Sequence, residues 1–198
     1  MEEKPYAVFD EMKDYLKDIS EKLSSIEMNL NKAILSSEKK ERIAVFVDSQ
    51  NLYYSVKAIY RGKVDYNKLL YKIRRDRILV KAISYVVHPP EGDIRPFVSS
   101  LEKIGYEVRL KEIRIRGDGS AKANWDMGIA LDILEILDKV DTVVLVSGDG
   151  DFVPLLTYIR DQGKTVEVFS FEASTAYDLR ESADRYESLD ETIILDLK

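Results

Sequence analysis

Two aspartates one residue apart, Asp149 and Asp151, follow closely on the apolar run Val143-Val144-Leu145-Val146, with only Ser147-Gly148 between. A run of β-branched and leucine residues with no polar member reads as a strand buried on both faces, as in a parallel sheet covered by helices. The acids therefore stand past its carboxyl end, the edge at which open α/β sheets bind ligands. Carboxylates crowded together repel each other unless something positive lies between them, and a divalent cation meets that need. Asp48 holds the same kind of position after Ile43-Ala44-Val45-Phe46-Val47, so if the two strands are neighbours all three acids share one rim. Asn51, in the first turn of the next helix, is a neutral oxygen ligand, a water-positioning amide or a helix cap.

Asp126 is selected by helical spacing. On a 3.6-residue wheel Ile129, Ala130, Ile133 and Leu137 cluster around its direction, which turns this carboxylate toward the sheet, whereas Asp132, Glu135 and Asp138 fall on the opposite side and read as solvated. A charge facing the core must be paired or bound to a metal; a salt bridge to Lys122 or an arginine is the competing assignment. The chain has no cysteine and one histidine, His88, set in a His-Pro-Pro loop and given a structural role. Four carboxylates without imidazole or thiolate describe a hard-cation site for Mg²⁺ or Mn²⁺. Such a metal lowers the pKa of a bound water and stabilises the charge developing on a phosphorane, the two needs of phosphodiester hydrolysis. Ser147 either hydrogen-bonds a carboxylate or a metal-bound water, or caps the following helix. Dinucleotide binding by Gly148 and Gly150 fails, because the third glycine position is Val153 and the turn is negative where pyrophosphate would sit. A haloacid-type phosphatase needs Asp-x-Asp after its first strand, and here Asp48 is followed by Ser49 and Gln50.

The elements that position these residues alternate from Arg42 onward. Strands are expected at Ile43–Val47, Ile78–Val87, Tyr106–Ile115, Val143–Val146, Thr165–Phe171 and Thr192–Leu195. Helices are expected from Asn51 to Tyr60, after the cap Asp65, from near Pro96 to Gly105, from about Asn124 to Asp138, from Phe152 to Gln162, and after a cap at Ser174. A turn is expected at Gly117-Asp118-Gly119. The alternation implies one α/β domain, residues 42–198, with a mainly parallel sheet. Residues 1–38 differ. Phe9, Met12, Leu16, Ile19, Leu23, Ile26, Leu30 and Ala33 recur at spacings of three and four, the seam of a coiled coil. That seam must pair with another chain or lie on its own domain, and its narrowness favours a homodimer or higher homo-oligomer through residues 9–33. Ser36-Ser37-Glu38-Lys39-Lys40 is the expected linker.

At 198 residues the chain holds one full core plus an appendage. It has no basic leader running into an apolar segment, and no apolar run approaches the ~18 residues of a membrane span, so the expected location is the cytoplasm. The net charge of −6 hides a segregation: Lys+Arg against Asp+Glu count 7 and 9 over residues 1–40, 17 and 10 over 41–125, and 6 and 17 over 126–198. An acidic end that holds metal and a basic middle that meets phosphates would give that pattern, as would a dispersed solvated surface. Lys72, Arg74, Arg75, Arg114, Arg116 and Lys122 are the candidate contacts to an RNA backbone. Tyr53, Tyr54, Tyr60, Tyr66 and Tyr71 lie among the basic residues and either stack bases or pack.

Three segments in order, Val47-Asp48-Ser49-Gln50-Asn51, Asn124-Trp125-Asp126-Met127-Gly128-Ile129-Ala130-Leu131-Asp132 and Ser147-Gly148-Asp149-Gly150-Asp151-Phe152, resemble the NYN domain family, specifically the LabA-like branch of the PIN-like nucleases. The similarity spans about residues 42–190 and includes Ser174, Leu179, Ala183 and Asp184. Trp125 stands where a small or aliphatic residue is common. The resemblance implies a three-layer PIN-like fold on a five-stranded parallel core and a metal-dependent ribonuclease activity. It also implies metal-site roles for Asp48, Asp126, Asp149 and Asp151, with Asn51 nearby. The competing function is a catalytically weak RNA-binding or regulatory module that dimerises through its amino-terminal helix.

Overall fold

The computed structural model describes residues 5–37, 40–88, 92–115, 121–122 and 124–195. The chain divides into two compact units at residue 39. The first is a single helix, α1 (Pro5–Ser37), whose seam residues Met12, Leu16, Ile19, Leu23, Ile26 and Leu30 are exposed in the single chain. No described helix is long and apolar enough to cross a membrane.

The second unit runs β1 (Arg42–Asp48), α2 (Ser49–Ile59), β2 (Lys63–Val64), α3 (Tyr66–Arg74), β3 (Ile78–His88), α4 (Arg95–Ile104) and β4 (Glu107–Glu112). It continues with β5 (Arg114–Ile115), β6 (Ala121–Lys122), α5 (Asp126–Ile136), β7 (Thr142–Val146), α6 (Val153–Asp161), β8 (Thr165–Ser170), α7 (Tyr177–Ser182), β9 (Arg185–Ser188) and β10 (Ile194–Leu195). Six strands form one parallel sheet in the order β4-β3-β1-β7-β8-β9. After β1 the chain builds outward through β3 and β4, then returns to the other side of β1 for β7. The β1–β7 pair is thus the switch point at which sheets of this kind open a crevice. Val47 pairs with Val146 there, which sets Asp48 and Ser147 level.

Alternation along the strands assigns the layers. Ile43, Val45 and Val47 pack with Leu52 and Val56 of α2, Leu69 and Ile73 of α3 and Leu101 of α4. Ala44 and Phe46 pack with Ile129 and Ile133 of α5, Leu156 of α6 and Leu179 of α7. Since side chains alternate faces, Asp48 belongs to the face covered by α5. Gly105 (φ 111°) and Gly163 (φ 74°) follow α4 and α6 in backbone conformations that L side chains rarely adopt, as expected of helix stops.

The structure corrects several expectations. The sheet has six strands, not five; β9 is Arg-Tyr-Glu-Ser, whose composition carries no strand pattern, and it is recruited by pairing with β8. The segment expected as one strand from Tyr106 to Ile115 divides into β4 and β5, and β5 leaves the main sheet to pair antiparallel with β6. The strand expected at Thr192–Leu195 is only β10, paired with β2 away from the main sheet. Ser174 does not cap α7, which starts at Tyr177 with Ala176 in the cap position; its hydroxyl donates instead to Ser55 Oγ (2.8 Å) and the Phe171 carbonyl oxygen (3.2 Å). Asp132 is not solvated but half-buried, accepting from the Tyr85 hydroxyl (2.8 Å) and Arg109 Nε (3.3 Å). The helical wheel misplaced it because long side chains from β3 and β4 reach up to meet it. The expected linker is shorter than read, since its Ser36 and Ser37 belong to α1; its residues 38–39 and the expected turn at Gly117-Asp118-Gly119 lie outside the described residues.

A charged cluster lies toward the start of the strands. Glu167 of β8, with only 5% of its side chain accessible, accepts from Arg77 Nη1 and Arg185 Nη1, each at 2.9 Å. Arg77, 9% accessible, also lies 3.4 Å from Glu41 and donates to the Ile73 carbonyl. Glu41 in turn accepts from Thr142 of β7. Stitching β8 to the segments before β1 and β3, this network holds the sheet from the edge opposite the acidic rim.

Candidate metal centre

The rim is assembled from two connections that cross the β1–β7 seam. Asp48 ends β1 and caps α2, its Oδ1 accepting the Asn51 backbone N–H at 3.0 Å. The Asn51 side chain reaches across the seam: its Oδ1 accepts the Gly148 N–H at 3.0 Å. Ser147 Oγ donates to Asp48 Oδ2 at 3.3 Å and accepts the Asp149 N–H at 3.2 Å. Asp149 Oδ1 accepts the Asp151 N–H at 3.0 Å, closing the 3-10 turn that leads into α6. Asn51 is thus a brace between the two strand ends, and Ser147 hydrogen-bonds a carboxylate, one of its two expected roles.

Asp126 enters from the first turn of α5, where it accepts from the Asn124 side chain. Ligand atoms of Asp126, Asp149 and Asp151 all lie within 4.8 Å of one another. Asp48 sits just inside this triad, 8% exposed. Burial pushes its carboxyl above the ordinary aspartate range, the Asn51 N–H and the Ser147 hydroxyl pull it back, and the charges of Asp126 and Asp149 push it up again. Behind it lie Ser49, bonded to Ser84 at 2.7 Å, and Tyr66, whose phenol is pushed up to about 12 by burial, against the Ser49 hydrogen bond, with the Asp48 charge adding. Three carboxylates within reach of one ion, and a fourth destabilised by burial and by the charges of Asp126 and Asp149, form an all-oxygen donor set that fits a hard divalent cation.

Several residues that hold the site escaped the sequence reading. Trp125 donates from Nε1 to the Val86 carbonyl at 3.0 Å, pinning the start of α5, and so Asp126, to β3. Gly128 makes room for it, since a Cβ there would stand 2.5 Å from Trp125 Cε3. Lys111 lies over the indole, 5.3 Å from the ring centre, and donates to the Asn124 carbonyl. The Asn-Trp-Asp-Met-Gly string held a signal for this in its lone glycine near a helix start. Ser55 and Ser174, which tie α2 to the segment before α7, carried none.

Gly148 carries a related constraint. A Cβ there would lie 2.3 Å from the Ser174 carbonyl oxygen, backbone against backbone. Gly148→Ala is therefore expected to cost about 1–3 kcal/mol, whereas Gly150→Ala, whose Cβ would meet only the Ala176 methyl at 3.0 Å, costs less. Urea unfolding of both variants checks the order, and a Gly148→Ala midpoint equal to wild type would refute the contact.

The basic candidates are partly spoken for. Lys72 pairs with Glu187 (3.4 Å) and Asp190 (3.8 Å), and Arg75 with Glu187 (2.6 Å). Arg74 is exposed at the end of α3. The side chains of Arg114 and Lys122, and all of Arg116, lie outside the described residues. Local pairing thus offsets part of the positive charge counted along the middle of the chain.

Comparison with known proteins places these features in a family. The NYN domain profile matches residues 42–190. The low amplitude and bright protein LabA of Synechococcus elongatus is 31% identical over 160 residues, covering 77% of this chain and 86% of that protein. A crystal structure of a protein of unknown function from Vibrio parahaemolyticus superposes with a TM-score of 0.75 at 40% identity, over 80% of this chain and 99% of that one.

Proposed function

The chain belongs to the NYN domain family, and from that membership we propose that it is a metal-dependent ribonuclease hydrolysing phosphodiester bonds of single-stranded or structured RNA. The observation that carries the reading is the convergence of Asp126, Asp149 and Asp151, from two separate segments, within 4.8 Å. Asp126, Asp149 and Asp151 would hold Mg²⁺ or Mn²⁺, with Asp48 behind them. A cation held there supplies charge to stabilise the phosphate in transit and acidity to activate water. The chain's own contribution is positioning. Asn51 and Ser147 lock the two strand ends, Trp125 fixes the third carboxylate, and the buried Asp48, held by the Asn51 N–H and the Ser147 hydroxyl, adds a fourth carboxylate behind them. The test is incubation of the full chain with end-labelled single-stranded RNA in Mg²⁺, Mn²⁺ or EDTA. Cleavage is expected with the cations and not with EDTA; cleavage that survives EDTA, or none in any condition, rejects the reading.

Self-association through residues 9–33 belongs to the same proposal, supported by the exposed α1 seam. Burying such a stripe requires a partner. Sedimentation of a chain shortened to begin near Lys39 is expected to give a lighter species than the full chain's multiple, and an unchanged subunit number refutes it.

A further inference from the structure

We propose that Tyr177 is a stacking platform for a base of single-stranded RNA at the carboxylate rim, an inference that rests on the ribonuclease reading above. Gly148 and Gly150 flank Asp149. Neither has a positive φ; among the described residues the glycines that do are Gly92, Gly105 and Gly163. Backbone freedom is therefore not what these two positions require. What both require is close approach, and the same short segment approaches each of them. A Cβ at Gly148 would meet the Ser174 carbonyl oxygen at 2.3 Å, and one at Gly150 would meet the Ala176 Cβ at 3.0 Å. The Ala176 N–H donates to the Gly148 carbonyl at 2.9 Å.

The segment is also fastened from behind. Ser174 Oγ donates to Ser55 Oγ of α2 at 2.8 Å, and the Thr175 hydroxyl lies 2.6 Å from that of Ser170 at the end of β8. The turn bearing Asp149 and Asp151 and residues 174–176 thus form one rigid piece, and the next residue is Tyr177. It opens α7 and is 73% exposed. The core below is supplied by Leu179 instead. Single exposed aromatics are common and need no explanation by themselves. Tyr177 differs in being set on a braced support directly after the segment that packs on the acidic turn. A strand whose phosphodiester is held by a carboxylate-bound cation brings a base within a few ångströms of every phosphate. An exposed ring carried on that braced backbone offers the base a partner of matching shape, tolerant of sequence because every base has a π-face.

The test is fluorescence polarisation of a labelled single-stranded RNA of about ten nucleotides, with Ca²⁺ present to neutralise the carboxylates. Wild type, Tyr177→Ala and Tyr177→Phe are compared. Loss of one stacked base is expected to weaken binding about 5- to 100-fold in Tyr177→Ala, while Tyr177→Phe stays within about twofold. An abasic scan of the RNA should find a position whose base matters to wild type and not to Tyr177→Ala, with melting temperatures matched. Equal affinity of Tyr177→Ala and wild type overturns the platform, as does an equal loss in Tyr177→Phe, which would assign the effect to the hydroxyl. Tyr177-dependent binding in a protein that never cuts RNA sustains the platform and rejects the ribonuclease. Cutting with Tyr177-independent binding does the reverse, and a wild type that binds no RNA removes both.

Discussion

Asp149→Asn is expected to keep its fold and to lose metal-dependent RNA cleavage by about 10²- to 10³-fold. The fold is kept because the Asn side-chain oxygen still accepts the Asp151 N–H that closes the turn. The activity falls because one of three charges within 4.8 Å disappears, and with it part of the attraction and one of the oxygen ligands for a hard cation. Two further readouts separate this from a general defect. Mg²⁺ or Mn²⁺ is expected to raise the melting temperature of wild type, since a ligand that binds only the folded state stabilises it by about 2.7 kcal/mol at 100 times its Kd; the variant should show little of that rise. Without metal the variant should melt no lower than wild type, because the Asp149 charge is one of those that push buried Asp48 toward protonation. A variant that cuts RNA as fast as wild type ends the proposal that Asp149 holds the metal.

The largest loss of stability should come from the opposite edge of the sheet. Glu167→Ala removes the acceptor of two arginines and leaves Arg77, 9% accessible, with Glu41 at 3.4 Å as its remaining charge partner among the described residues and Nε already without a hydrogen bond. Stranding a buried charge costs about 3–5 kcal/mol, which for a unit of this size lowers the melting temperature by roughly 6–20 °C. The partner substitution distinguishes a stranded charge from lost packing: Arg77→Met placed on Glu167→Leu should recover most of the stability, because a buried ion pair replaced whole by apolar side chains is close to neutral. If the double variant is as unstable as the sum of its parts, the network contributes through packing and the electrostatic account is wrong.

Much of the rim was legible because its residues break strong local patterns. Asp48 directly follows a run of uninterrupted apolar residues and Asp149 stands three places past another, and short β-branched runs of this kind mark interior strands. Asp126 was found by period, since Ile129 and Ile133 mark the inward face of α5. The sheet's sixth strand was illegible for the converse reason. Arg185–Ser188 gains its strand conformation from pairing with β8, a non-local interaction that leaves no mark in its own composition. Asp132 was misread because a helical wheel knows only its own helix, and the groups that claim it, Tyr85 and Arg109, come from neighbouring strands. Asn51 was expected as ligand, water-holder or cap; its actual bond to Gly148 crosses 97 residues of chain.

The amino-acid sequence by itself determined that this protein has a buried parallel sheet, that acids stand at its strand ends, and that neither a thiolate nor a histidine-rich metal centre can be built, because period, apolar runs and composition are local quantities. Only the tertiary structure decided which of those acids meet. It put Asp126 with Asp149 and Asp151, set Asp48 inward behind them, and turned two glycines of the acidic motif into the seat of the segment before Tyr177. Strand order decides such things, and strand order is chosen by the packing of whole layers rather than by any residue's neighbours in the chain.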